Sequence, residues 1–223
     1  MSKVTKMRID ISGNAATITL PNGESNSSVK KTVKLDTIIK AFKEQGVKIE
    51  TPVLPYNCVK YKEKGNGITV GIYCPPAKFT ATYSGEEFEN CIRPACIMVF
   101  EMNSSNGGFT VSRSKIYGVK EEPLYLNDDT KLYILPFPNI GDNGWICWGQ
   151  NTMAGLFRSL CGLPVFIDRL FKAPFNNDLF QGALFRHVGF DTPRGLFEFL
   201  QNKEVWPDEL FVETSTRYTL GGI

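Results

Sequence analysis

The chain has 223 residues, 42% hydrophobic and 22% charged, with a formal net charge of +2. This composition is that of a globular protein with enough apolar content for a buried core, as one domain or one domain with an appendage. No apolar run reaches the roughly 18–20 residues of a membrane span. The opening MSKVTKMRIDIS lacks the apolar stretch of a secretory signal, so a cytoplasmic location is expected.

Charge is unevenly spread. Residues 1–64 carry twelve Lys/Arg against six Asp/Glu, and residues 65–223 carry thirteen against seventeen. A basic N-terminal portion suits an acidic partner or nucleic acid. No aromatic interleaving supports base stacking there, so nucleic acid is not expected and solvated lysines are the simpler reading.

In chain order, Met7–Ser12 and Ala16–Leu20 alternate around Gly13-Asn14 and predict a hairpin, followed by a polar loop over Pro21–Ser28. Lys34–Gln45 places Leu35, Ile38, Ile39 and Phe42 on one helical face, with Asp36 as N-cap and Gly46 as stop. Asn57–Glu63 and Ile68–Cys74 flank Lys64-Gly65-Asn66-Gly67, a second hairpin, and Pro75-Pro76 ends that strand. Lys78–Tyr83 alternates. Cys96–Met102 and Phe109–Val119 read as partners across a turn, and Lys131–Leu135 as a last short strand. Thr152–Leu160, Pro164–Phe171 and Pro193–Asn202 read as helices, the last capped by Thr192. Strands followed by helices indicate an α+β fold.

Six cysteines stand at 58, 74, 91, 96, 147 and 161. None forms a Cys-x-x-Cys pair, and the single histidine, His187, cannot complete a common zinc set, so no metal is expected. Most of the six are expected to be reduced thiols buried as small apolar residues. His187 sits among Leu184, Phe185 and Val188, a setting that suits a hydrogen-bonded histidine better than a catalyst. Gly221-Gly222 before Ile223 reads as a frayed end.

One segment stands apart: Pro138-Asn139-Ile140-Gly141-Asp142-Asn143-Gly144-Trp145-Ile146-Cys147. It sets a cysteine eight residues after an asparagine, with an Asn-Gly turn between them. A thiol that forms and breaks acyl bonds needs a neutral donor to stabilise the oxyanion, and an asparagine amide can supply it. No local histidine pairs with Cys147, which disfavours a papain-like protease. It does not disfavour transthiolation, in which the incoming acyl group is already activated.

The run Pro-Asn-Ile-x-x-Asn-Gly-x-Ile-Cys resembles the active-site segment of ubiquitin-conjugating (E2) enzymes. Within that superfamily the closer likeness is to the bacterial prokaryotic E2 family D, including protein B of the ParB-related, ThiF-related cassettes. The Pro136-Phe137-Pro138-Asn139 and Cys147-Trp148-Gly149 elements and the later FIDRLFKAPFNND stretch, Phe166–Asp178, carry it. The resemblance spans roughly residues 50–200. It implies a UBC-like fold: an N-terminal helix, a four-stranded antiparallel meander, an irregular active-site segment and C-terminal helices. On this reading residues 34–223 form the E2-like domain, and residues 1–33 add an N-terminal hairpin and loop.

The resemblance further implies an E2-like carrier. Cys147 would accept a ubiquitin-like protein as a thioester from a ThiF/E1-like enzyme and pass it to an amine, without a cofactor. Asn139 would stabilise the oxyanion, and Asn143, Trp145, Trp148 and Asp178 would contact substrate. Asn176 and Asn177 join Asp178 as candidates to orient the amine. Phe137 stands where the superfamily has a histidine, and Trp148-Gly149 replaces the usual Leu-Asp after the cysteine. Two other readings remain: an inactive E2-like module that binds a partner through Trp145 and Trp148, and a plain core thiol at Cys147.

Overall fold

The computed structural model describes residues 8–12, 14–21, 28–44, 52–105, 107–149, 153, 155–180, 188–213 and 218–223. They divide into two compact units, Met1–Thr51 and Pro52–Ile223. The boundary expected after residue 33 falls inside the first unit, one residue before the end of the strand Ser28–Lys34.

In the first unit the expected hairpin is present as β1 (Arg8–Ser12) and β2 (Ala15–Pro21), paired antiparallel. A strand that the sequence reading missed, β3 (Ser28–Lys34), pairs with β2, and α1 (Leu35–Glu44) follows directly. The amide of Leu35 donates to the carbonyl of Asn14 at 2.9 Å, tying the start of α1 to the β1–β2 turn. Asp36 is therefore in the first turn of α1 rather than at its N-cap, still where an acidic side chain favours the helix dipole.

The second unit is built on a four-stranded antiparallel sheet ordered β4-β5-β8-β9: Cys58–Lys64, Gly67–Cys74, Cys96–Ser105 and Gly108–Gly118. It is not a simple meander, because β5 pairs directly with β8 and the chain between them makes a separate hairpin, β6 (Ala77–Tyr83) with β7 (Glu86–Arg93). Prolines explain the detour. Pro75-Pro76 stops β5 and Pro94 stops β7, each lacking the amide a sheet ladder needs.

Side-chain alternation gives the sheet two different faces. Ile68, Val70, Ile72, Met98, Phe100 and Ile116 face the main core, which α2 (Val165–Lys172) and α3 (Pro193–Leu200) close. On the opposite face Tyr73, Ile97, Val99 and Tyr117 form a smaller core with Leu132, Ile134, Val212 and Leu220. Thr192 caps α3 as expected, its hydroxyl accepting from the Gly195 amide at 3.2 Å.

Two expectations are corrected. Thr152–Leu160 is not an α-helix where it is described: Phe157 exchanges backbone hydrogen bonds with Phe109 on β9, at 2.7 and 2.8 Å, and only Leu160 enters a short 3-10 turn, Leu160–Gly162. The chain end is not frayed. Short strands β10 (Lys131–Leu132) and β11 (Tyr218–Thr219) pair, Leu220 is 3% exposed, and the Gly221 amide donates to Asp128 at 2.8 Å. His187 and Gly46 lie outside the described residues. Among those described, no helix is long and apolar enough to cross a membrane.

Candidate active site

The segment carrying Cys147 starts from a fixed point. Phe137 is 1% exposed, and its ring meets Phe79, Phe171, Phe175 and Trp206 at centroid distances of 5.9, 5.2, 6.0 and 5.6 Å. Burying such a ring contributes roughly 1.5–3 kcal/mol before the ring–ring terms. An aromatic at this position therefore serves as an anchor in the core.

From there the chain folds back on itself. Gly144 donates to the Gly141 carbonyl at 2.9 Å, Gly141 to Trp145 at 2.8 Å, and Cys147 to Asn139 at 2.9 Å. Asn143 fixes the tip: its side-chain oxygen accepts from the Trp145 amide at 3.0 Å, and its carbonyl accepts from the Tyr117 hydroxyl at 3.0 Å. Gly144 has φ +79°, and a Cβ there would lie 2.7 Å from the Tyr117 ring and 2.9 Å from the Ile116 carbonyl. Only glycine fits.

The returning arm lies along the edge of β9. Ile116 donates to Gly144 at 2.8 Å, and Ile146 donates to Ser114 at 3.2 Å. Cys147 emerges half-buried on an open groove of about 480 Å³ whose walls are Val111–Ser114, Trp145–Gly149 and Met153. The two tryptophans differ. Trp145 is 40% exposed at the rim. Trp148 is half-buried; its indole N–H donates to the Ser114 hydroxyl at 2.7 Å and its ring meets Phe166 edge-on at 5.9 Å. It is a packed wall of the groove.

Asn139 is 6% exposed and bonded on both sides of its amide. Its Nδ2 donates to the Pro174 carbonyl at 3.3 Å, and its Oδ1 accepts from the Asn176 amide at 3.3 Å. That joins the cysteine segment to the turn after α2, where the three candidate amine-orienting residues lie. Asn176 and Asp178 hold each other, with Nδ2 to Oδ2 at 2.9 Å and the Asp178 amide to Asn176 Oδ1 at 3.0 Å. Tyr83 donates to Asn177 Oδ1 at 2.8 Å, and Phe175 donates to Thr82 at 2.7 Å, fastening this turn to β6.

A family model described as prokaryotic E2 family D matches residues 34–211. The chain belongs to prokaryotic E2 family D. No curated protein and no solved structure matches it. Membership connects the chain with ubiquitin-like conjugation, whose partner classes are ubiquitin-like proteins and E1-like enzymes. In this E2-like chain the residues named from sequence fall into two linked groups: Asn139, Asn143, Trp145, Cys147 and Trp148 on one folded segment, and Asn176–Asp178 on a turn bonded to it through Asn139.

Sequence reasoning missed Ser114 and Tyr117, which hold the segment from β9. The signal for Ser114 was a serine two residues before Ile116, on the core-facing side of β9; it is 2% exposed. The remaining thiols are Cys74, Cys91 and Cys96, all buried, half-buried Cys58, and exposed Cys161. Burial pushes the Cys58 thiol up and the Cys91 thiol up to about 11, so both are poor nucleophiles near neutral pH.

Proposed function

We propose that this E2-like protein carries a ubiquitin-like protein as a thioester on Cys147. The Cys147 thiolate attacks the thioester carbonyl on a ThiF/E1-like enzyme, a new S–C bond forms, and the enzyme's thiolate leaves. An amine then attacks the Cys147 thioester, loses a proton, and the Cys147 thiolate departs as the amide forms. ATP is consumed upstream by the activating enzyme, in the cytoplasm.

The supporting observation is the placement of half-buried Cys147 on an open groove, its backbone amide donating to the Asn139 carbonyl at 2.9 Å. The Asn139 amide carries two N–H groups and one is committed to Pro174; we assign the other to the developing oxyanion. Such a donor contributes roughly 3–4 kcal/mol. Trp145 at the rim and Asn143 at the tip would meet the acyl donor, with Trp148 as a wall. Asp178, held by Asn176, is the candidate to orient and deprotonate the amine, in a UBC-like arrangement of the second unit.

The double engagement of the Asn139 amide also supports a second reading, an E2-like module that binds a ubiquitin-like protein without chemistry. Incubation with the ubiquitin-like protein, its activating enzyme and ATP separates the two. Carriage predicts an adduct cleaved by thiol reductant and converted to a reductant-stable ester by Cys147→Ser. Binding without any covalent adduct would establish the module instead.

A further inference from the structure

The face of the sheet opposite the main core is only half covered. Beyond Tyr73, Ile97, Val99 and Tyr117, which pack in the smaller core, the strand register sets out rows of polar residues. One row runs Lys62, Thr69, Glu101, Arg113 across β4, β5, β8 and β9, and the next runs Lys64, Gly67, Asn103, Thr110. Lys115 lies beside Arg113 on the same face of β9. The cations thus stand on the two outer strands, and the inner strands offer Gly67, Thr69 and Asn103 as a low floor. A depression of about 360 Å³ opens there.

Charge on this trough is one-sided. Glu101 is its single carboxylate and is already neutralised, by Lys115 at 3.0 Å and Arg113 at 3.6 Å. Lys60, one row further, is paired with Asp128 at 3.2 Å. Lys62 and Lys64 are exposed and have no ion-pair partner among the described residues. Residues 52–223 as a whole hold 16 Lys/Arg against 18 Asp/Glu, so this cationic trough belongs to a net-acidic stretch of chain.

We propose that this trough docks an acidic segment of a partner protein. Three strand spacings separate β4 from β9, about 14 Å, which admits one helix of roughly 10–12 Å or one extended chain between the cationic rims. Carboxylates along such a segment would meet Lys62 and Lys64 on one side and Arg113 and Lys115 on the other. Nucleic acid fits less well. The carboxylate of Glu101 lies on the floor, the tyrosines of this face are buried in the smaller core, and the net charge of the unit repels a polyanion at long range. Ser112 lines both this depression and the Cys147 groove.

The proposal stands apart from acyl carriage and is tested without it. A fluorescently labelled Glu-rich peptide is titrated with the full chain at low and high salt, followed by anisotropy. The wild type should bind at low salt and release at high salt. Lys62→Glu with Lys64→Glu should weaken binding about tenfold or more, and Lys62→Gln with Lys64→Gln should weaken it less. A matched control, Lys131→Glu with Lys172→Glu, should stay within about twofold. Equal rates of Cys147 alkylation in all variants would show that they are folded, and if the glutamate pair does not fold, the glutamine pair decides. The proposal is overturned if the wild type does not bind the peptide at low salt, if the control weakens binding as much, or if duplex DNA binds more tightly than the peptide.

Discussion

The amide of Cys147 donates to the carbonyl of Asn139 at 2.9 Å, closing an eight-residue excursion whose tip is Asn143-Gly144. The same asparagine reaches the other way with its side chain, to Pro174 and Asn176. Asn139 is therefore the joint between the thiol-bearing segment and the turn after α2. Its burial makes both bonds costly to lose.

The tip of this excursion should tolerate no side chain. Gly144→Ala puts a Cβ against Tyr117 and Ile116 at a positive φ, so a loss of about 2–4 kcal/mol is expected. Thermal unfolding reads the loss, and faster alkylation of Cys147 should accompany it as the segment leaves the β9 edge. An unchanged melting temperature would mean that the segment is not held by this turn.

Ser114→Ala removes the acceptor of the Trp148 indole and leaves a donor unpaired in a half-buried setting. The expected cost is about 1–2 kcal/mol. A red-shifted tryptophan emission should accompany it, because the ring is no longer fixed against Phe166.

Asn139→Ala should lower stability by roughly 2–3 kcal/mol, for the two side-chain hydrogen bonds it deletes. If the amide also serves the oxyanion, thioester transfer measured well below the melting temperature should fall about 100- to 1,000-fold. Asn139→Asp keeps the acceptor for Asn176 and loses the donor. Its transfer rate should therefore fall as far as that of the alanine variant, and its stability should fall at least as far, because a buried carboxylate would face the Pro174 carbonyl. Transfer at wild-type rate in either variant would reduce Asn139 to a structural joint.

How much of this was legible in the sequence depended on whether local pattern and tertiary contact agreed. The Lys64–Gly67 hairpin, the helix over 165–172 and the Thr192 cap could be read directly, because turn chemistry and periodicity decide them locally. The Asn139–Cys147 return was legible for the same reason. Strands β3 and β7 were not: SVKKTVK and EEFENCIR carry charges on both sides of the pleat, and pairing with a neighbouring strand decides their state. Leu156, Phe157 and Leu160 mimic a helical face, yet Phe157 is claimed by the β9 edge. The bonds from Asn139 to residues 174 and 176 join distant parts of the chain, and no spacing rule exposes them.

Alkaline pH should destabilise the protein through its buried thiols. Cys91 is fully buried and its thiol is pushed up from 9.0 to about 11, so folding favours the neutral form. That contribution is complete below pH 9 and is lost as pH rises through about 11. At roughly 1.4 kcal/mol per unit it amounts to about 2–3 kcal/mol. The melting temperature should fall across that window, and Cys91→Ala should fall less steeply from its own lower starting value. Tyr61, raised to about 12 by burial and the neighbouring Glu63, acts in the same direction only at higher pH.

The most direct test of Cys147 as the acyl carrier is to locate the acylated residue. After reaction with the ubiquitin-like protein, its activating enzyme and ATP, the charged protein is digested without reductant and mapped by mass spectrometry. The thioester should be found on Cys147, at the groove beside Asn139, and the more exposed Cys161 should remain unmodified. A thioester on Cys161 or any other cysteine, or full charging of Cys147→Ala, would contradict the account.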